Sequence, residues 1–448
     1  MKSIKNQSAT KSLYLLLLVC FLVLPINGDA KSFSINSNVS AFDDDLDDED
    51  DLFEDAFEFD DDDSEFESIE DDESDAPSGD ISEDEIHQDT NHNLKHSARQ
   101  NKSIDKHGYP IKTAQIIAMG IDNSTLDILH GLGYTVLHER WLTGLRLNIV
   151  TLSIPTNLTP SQALAALRKK DPNTLYDLNH IYHLDSSKTQ LASTNNINST
   201  ATNSGKAIGL IDTAIERTHP VFQKASLFHK DFVTDKQPRP TAHGTAIASQ
   251  LVTQMRQLYS ASVFYQDAQQ RNHASVDSLT AAIDWLIEKR VAIINMSLSG
   301  PPNQLLHFII RQASQRGHLI IAAAGNQGPA SPPLYPAAYP EVVAVTAVDK
   351  KHRVYRRANR GEHVEVAAIG VTLRTADSTG GYTTNSGTSF AAPTVSAWFA
   401  NTLQRPDLQQ AQQLRRELHL SAKDLGATGR DPIFGHGLIS NQALEAAP

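Results

Sequence analysis

"HLIIAAAGNQGP", residues 318–329, sets six apolar residues in a row, Leu319–Ala324, ahead of a glycine-rich turn. A run this short and unbroken suits a strand buried on both faces, which is the habit of parallel sheets. The pattern recurs in "KAIGLI" (206–211), "SVFYQ" (262–266), "VAIIN" (291–295) and "VVAVTAV" (342–348). Between these runs, "VDSLTAAIDWLIEKR" (276–290) and "NQLLHFIIRQASQRG" (303–317) have helical spacing. The alternation predicts an α/β fold, a doubly wound and mostly parallel sheet over residues 205–448.

A smaller unit precedes it. In residues 108–187, "AQIIAMGI", "YTVLHER", "RLNIVTLSIP" and "TLYDLNHIYHL" read as strands, the last with Tyr176, Leu178, Tyr182 and Leu184 on one alternating face. "STLDILHGL" and "TPSQALAALRKK" read as helices, the second opened by Thr159, Pro160 and Gln162 as cap, N1 proline and capping-box partner. The order β-α-β-β-α-β is a split βαβ domain. Residues 188–204 are a polar Asn/Ser/Thr linker to the larger domain.

The chain of 448 residues begins as an export signal does, over Met1–Ala30. Lys2, Lys5 and Lys11 precede an apolar stretch, Leu13–Leu24, and Gly28-Asp29-Ala30 offers a small-x-small cleavage site. The apolar stretch is short for a bilayer span, so the expectation is an exported protein, extracellular or periplasmic, with no stable membrane insertion after signal cleavage. The one cysteine, Cys20, lies inside the signal. A mature chain without thiols excludes a cysteine nucleophile, cysteine-ligated zinc and internal disulfides. Residues 31–107 are polar and acidic, with 26 Asp and Glu between Asp43 and Glu85 and no Lys or Arg. Such a stretch cannot bury enough apolar surface to fold, and it accounts for the net charge of −14. No basic helix or basic aromatic patch points to nucleic acid.

In a doubly wound sheet the reactive groups collect at the carboxyl ends of strands. Asn326 stands there in the opening quotation, and Asp212 ends "KAIGLID" (206–212). His243 opens a helical run in "TAHGTAIASQL" (241–251), and "IINMSLSGP" (293–301) carries a strand into a Gly/Pro turn. Ser389 lies in "SGTSFAAPT" (386–394), just before a helical run from Phe390 to about Leu403. Taken singly, each has a plain explanation: a cap, a structural histidine, ordinary loop chemistry. Together they fill every role of acyl transfer. Ser389 is a weak nucleophile until His243 takes its proton, and Asp212 can hold the imidazole in one tautomer. The Asn326 side-chain amide and the Ser389 backbone N–H can donate to an oxyanion beside a helix N-terminus.

Motif by motif, residues 205–448 resemble a subtilisin-type (subtilase) serine endopeptidase. "IDTAIERTHP" is similar to its aspartate motif, "HGTAIAS" to its histidine motif, "AAGNQG" to its oxyanion-asparagine motif and "SGTSFAAP" to its serine motif. The resemblance implies Asp212, His243 and Ser389 as catalytic residues with Asn326 in the oxyanion hole. It implies substrate contacts at Leu298, Ser299 and Gly300, at Gly325, and at Leu334 in "LYPAAYPEVVAVTAVD", so Leu298 and Leu334 would shape an apolar primary pocket. Unit 108–187 resembles the family's inhibitory propeptide, which makes the chain a self-inhibited precursor with protein substrates and its own propeptide as partners. No cofactor is called for; a structural calcium stays open, since 205–448 holds no clear calcium loop. The sequence departs from the family's usual glycine or proline at Ala214, Ser249, Ser299 and Ile369, and a positive φ at Ala214 would cost about 1 kcal/mol. The competing reading is a catalytically silent copy of the fold, a binding module with an acidic interaction tail. Four filled positions argue against it.

Overall fold

A computed structural model describes residues 103–184, 190–191, 206–233 and 238–440. The signal, nearly all of the acidic stretch and most of the linker lie outside the described residues.

Four of the five apolar runs lie in a seven-stranded sheet with the order β14-β13-β12-β11-β6-β8-β7, every neighbouring pair parallel. Its strands are β6 (Ala207–Asp212), β7 (Ser226–Asp231), β8 (Gln257–Ser262), β11 (Ile293–Met296), β12 (Leu319–Ala323), β13 (Val342–Val348) and β14 (Val366–Ile369). The chain leaves β6 toward β7 and β8, then crosses back to β11 and continues outward on the other side. The carboxyl ends of β6 and β11 therefore flank the topological switch point, where such sheets bind ligands.

Period-two alternation sends neighbouring residues of each strand to opposite faces. Ile211, Ile294, Ile320 and Ala344 pack with Leu279, Ile283, Ile309 and Ile310 of α4 (Val276–Glu288) and α5 (Gln304–Gln315). Leu210, Ile293, Ile321 and Val343 pack with α3 (Ala242–Gln254), α6 (Thr388–Ala400) and α7 (Leu408–Ser421). Helices thus cover both faces, the doubly wound arrangement expected. One strand differs from its sequence reading. The parallel strand is Gln257–Ser262, not 262–266, and its alternation of polar and apolar residues hid it. The chain turns at Val263 into β9 (Phe264–Gln266), which pairs with β10 (Asn272–Ser275) outside the parallel sheet.

The smaller unit has the order β1 (Ile111–Met119), α1 (Asn123–Gly131), β2 (Thr135–Leu142), β3 (Leu147–Ser153), α2 (Pro160–Lys170) and β4 (Leu175–Tyr182). Thr159 and Gln162 form the capping box of α2, each side chain accepting from the other's backbone N–H. One face of its sheet, with Ile116, Val150, Leu152, Tyr176 and Leu178, packs on its own two helices. The other face carries Ile117, Met119 and Ile149 into the core with α4 and α5. Tyr182 belongs to this second core, not to the face of Tyr176 and Leu178, because β4 runs on into the larger domain. The polar residues of β4 are buried too. Asp177 accepts from the backbone N–H of Gln304 at the N-terminus of α5 (2.6 Å), and Asn179 donates to Asp277 of α4 (3.2 Å). Burial raises the Asp177 carboxyl, with His180 and Arg168 pulling it back down.

At the tip of the β2–β3 hairpin, the Leu145 N–H donates to Asp284 of α4 at 2.8 Å. Leu142 and Leu145 are buried there, each contributing about 1.5–3 kcal/mol. Burial pushes the Asp284 carboxyl from an ordinary 3.8 to about 6, against the hydrogen bonds from Leu145, Gly144 and Thr143. The docked hairpin therefore takes up a proton, so docking is strongest near pH 4 and weakens as pH rises through 6. Asp284→Asn removes the charge, so its Tm relative to the parent should rise by about 2 °C from pH 4.5 to 7.5. A difference constant across that range would mean that the carboxyl keeps one charge state.

Candidate active site

Asp212 is the last residue of β6 and fully buried. Its Oδ1 accepts from Thr213 N (2.7 Å), Thr213 Oγ1 (3.2 Å) and His243 Nδ1 (3.0 Å). Oδ2 has no hydrogen-bond partner among the described residues. Because Nδ1–H donates to a carboxylate, the proton is held on that nitrogen and the lone pair is on Nε2. Nε2 is buried and has no partner among the described residues, so no Ser389–His243 hydrogen bond is made in this arrangement. His243 is the second residue of α3, and its ring lies 5.7 Å from that of Phe390, the residue after Ser389.

Ser389 is not the cap of its helix. Gly387, at φ +149°, caps α6, and Ser389 lies within the first turn rather than before it. Backbone N–H groups of a first turn have no acceptor inside the helix. A left-handed φ favours glycine at 387, and a Cβ there would also crowd Asn326 Nδ2 at 3.2 Å. The Ser389 carbonyl accepts from Ser297 Oγ at 3.1 Å, tying α6 to the end of β11.

Asn326 follows β12 and is buried. Its Oδ1 accepts from Thr388 N (2.9 Å) and Thr388 Oγ1 (3.1 Å), which fixes the amide and assigns Nδ2 the donor side. Thr388 Oγ1 also accepts from Gly325 N (3.2 Å). One threonine thus locks the asparagine loop to the serine helix. Sequence reading gave no role to Thr388, Thr213 or Ser297, although each lies inside a motif it quoted.

Leu298, Ser299 and Leu334 are buried, and a Cβ on Gly325 would meet Leu334 Cδ1 at 2.8 Å. Gly300 exchanges both backbone hydrogen bonds with Tyr335, each 2.9 Å. Ala214 does not have a positive φ, so the feared strain is absent. Ser249 donates to Ala246 O (2.7 Å) and accepts from Ala376 N (3.1 Å), a use that glycine could not serve. Among the described residues no three His, Cys, Asp or Glu side chains gather in a metal-holding group.

The end of β4 lies beside these residues. Tyr182 pairs with Ala274 and Ile181 with Ser275 of β10. On the other side His183 N donates to Ser299 O (2.9 Å) and Ser299 N to His183 O (3.1 Å). An extended peptide thus lies between β10 and the Ser299 segment of the larger domain.

The Subtilase family matches residues 203–437, just over half of the chain. Subtilisin BL of Lederbergia lenta is 28% identical over 257 residues, 54% of this chain and 91% of that protein. Minor extracellular protease Epr of Bacillus subtilis (strain 168) is 39% identical over 175 residues, 39% of this chain. The match spans only 27% of Epr's length. The crystal structure of fervidolysin from Fervidobacterium pennivorans, a keratinolytic enzyme related to subtilisin, aligns with TM-score 0.62 at 20% identity. That alignment covers 78% of this chain and 64% of fervidolysin, and at this identity it speaks to the fold alone. With the family match spanning the sheet, its helices and all four motif residues, the chain belongs to the subtilase family and carries a subtilisin-type serine endopeptidase domain.

Proposed function

We propose that the chain is an exported endopeptidase that cuts proteins through an acyl-enzyme on Ser389 and is made as a self-inhibited precursor. The observation that carries the reading is the Asp212–His243 bond, which directs the basic Nε2 away from the carboxylate. His243 takes the Ser389 proton as Oγ attacks the substrate carbonyl, and Asp212 stabilises the imidazolium. The new oxyanion accepts from Asn326 Nδ2 and Ser389 N–H, both held by the Thr388 clamp before reaction begins. His243 then protonates the leaving amine, and a water repeats the sequence to free the enzyme. Hydrolysis of a denatured protein, stopped by a serine-directed phosphonate, tests this. Hydrolysis insensitive to the phosphonate would end it.

Latency follows from what lies in the cleft. The His183–Ser299 pairing uses backbone groups that a substrate would need, so unit 103–184 blocks entry while attached. Because residues 181–183 pair within the cleft, the activating cut falls between Leu184 and Lys206. The acidic start of the chain and its signal-like leader suit an exported precursor, and Epr is named an extracellular protease.

Leu298 and Leu334 offer no partner for a buried charge, so the residue before the cut should be apolar or small. Profiling with a mixed peptide library checks this. A dominant Arg, Lys, Asp or Glu there would mean that other side chains line the pocket.

A further inference from the structure

The helix that carries Ser389 also contains Pro393, four residues further on. In an α-helix each carbonyl accepts from the N–H four residues later, and proline has no N–H. The Ser389 carbonyl therefore lacks its donor within α6, although Ser389 is buried and a buried carbonyl without a donor is costly. The donor comes from outside the helix, the Ser297 hydroxyl at 3.1 Å. A hydroxyl rotates to suit its surroundings, so its direction has to be set. Asn295 Nδ2 donates to Ser297 Oγ at 3.0 Å, which takes up an oxygen lone pair and leaves the Ser297 proton for Ser389. Asn295 Oδ1 accepts from Ser396 Oγ at 3.0 Å. Ser396 is seven residues after Ser389, two turns along the same face of α6. The row of bonds thus leaves α6, crosses β11 and returns to α6, each one pointing toward the Ser389 carbonyl. Reversing the Asn295 amide would draw the Ser297 proton to Oδ1 and leave that carbonyl bare. Asn295, Ser297 and Ser396 are all wholly buried, where polar side chains persist only with their partners in place.

We infer that Ser297, Asn295 and Ser396 are positioning residues, a relay that supplies the donor Pro393 withholds and so holds Ser389 in its reactive place. The inference rests on the reading above in which Ser389 is the nucleophile. Without the relay, the first turn of α6 shifts until its carbonyl finds another donor. A displacement of about 1 Å at a reacting group costs about 100-fold in rate. Substrate binding should be spared, since the pairing with Ser299 uses backbone groups and none of these side chains.

The test is a double-mutant cycle on the processed chain: parent, Ser297→Ala, Pro393→Ala and the two combined. Each is measured for kcat and KM on one peptide, and for the rate at which a fluorophosphonate labels Ser389. Ser297→Ala should lower kcat and the labelling rate about 10- to 100-fold in the parent, with KM changed less than about twofold. In the Pro393→Ala background residue 393 has an N–H for the carbonyl, so the same substitution should cost less than about threefold. An equal loss in both backgrounds, or a loss confined to KM, overturns the inference. Ser396→Ala, remote from substrate, should lower kcat about three- to tenfold without moving KM, and an unchanged kcat overturns the relay. Where Ser297→Ala does not fold, Ser396→Ala carries the same cycle with Pro393→Ala. A parent chain in which Ser389 is never labelled overturns the nucleophile reading instead.

Discussion

Ser389→Ala is expected to lower kcat on a peptide substrate by about 10⁶-fold, the size of the loss when a subtilisin loses its nucleophile. His243→Ala should cost about as much, and the double variant little more than either single one, because the two groups act as one unit. Asn326→Ala should cost less, about 10²–10³-fold, since the Ser389 N–H remains as an oxyanion donor. Thr388 holds both that asparagine and the first turn of α6, so Thr388→Ala should reproduce part of the Asn326 loss. Steady-state kinetics on the purified processed chain decides all of these. More than a few per cent of activity in Ser389→Ala would contradict the assignment of the nucleophile.

The second large effect is on processing. Expressed in a host without other proteases, the Ser389→Ala chain should accumulate uncut, while the parent yields a new N-terminus between residues 184 and 206. The difference is close to all-or-none, since the cut needs the Ser389 nucleophile. Sequencing the N-terminus of both proteins is sufficient. The same new N-terminus in Ser389→Ala would mean that another protease makes the cut, whatever Ser389 does on other substrates.

The residues that carried the sequence reading are those whose local pattern had a single structural meaning. The unbroken run Leu319–Ala324 read as a buried parallel strand, and its first five residues are β12. Asp212, His243 and Asn326 stood at strand ends or helix starts, and the fold brings the first two into contact. What escaped depended on partners far away in the chain. Gln257–Ser262 alternates polar and apolar residues like a half-exposed strand, yet it is central enough for β6 and β7 to flank it. Asp177 and Asn179 fall between the apolar residues of β4 in sequence, and the N-terminal turns of α4 and α5 supply their partners. Ser389 read as standing before its helix because a serine is a good cap, but Gly387 takes that position with a φ that serine would resist. Ala214 and Ser249 read as departures from a family pattern. The structure gives the first an ordinary backbone and the second two hydrogen bonds, so neither disturbs the cleft.

The most direct measurement is covalent labelling of the processed chain with a fluorophosphonate, followed by peptide mass mapping. A single adduct on Ser389, lost in His243→Ala and accompanied by loss of hydrolysis, is the result expected of a serine activated by that histidine. An adduct on another residue, or full hydrolysis with Ser389 unlabelled, would contradict it.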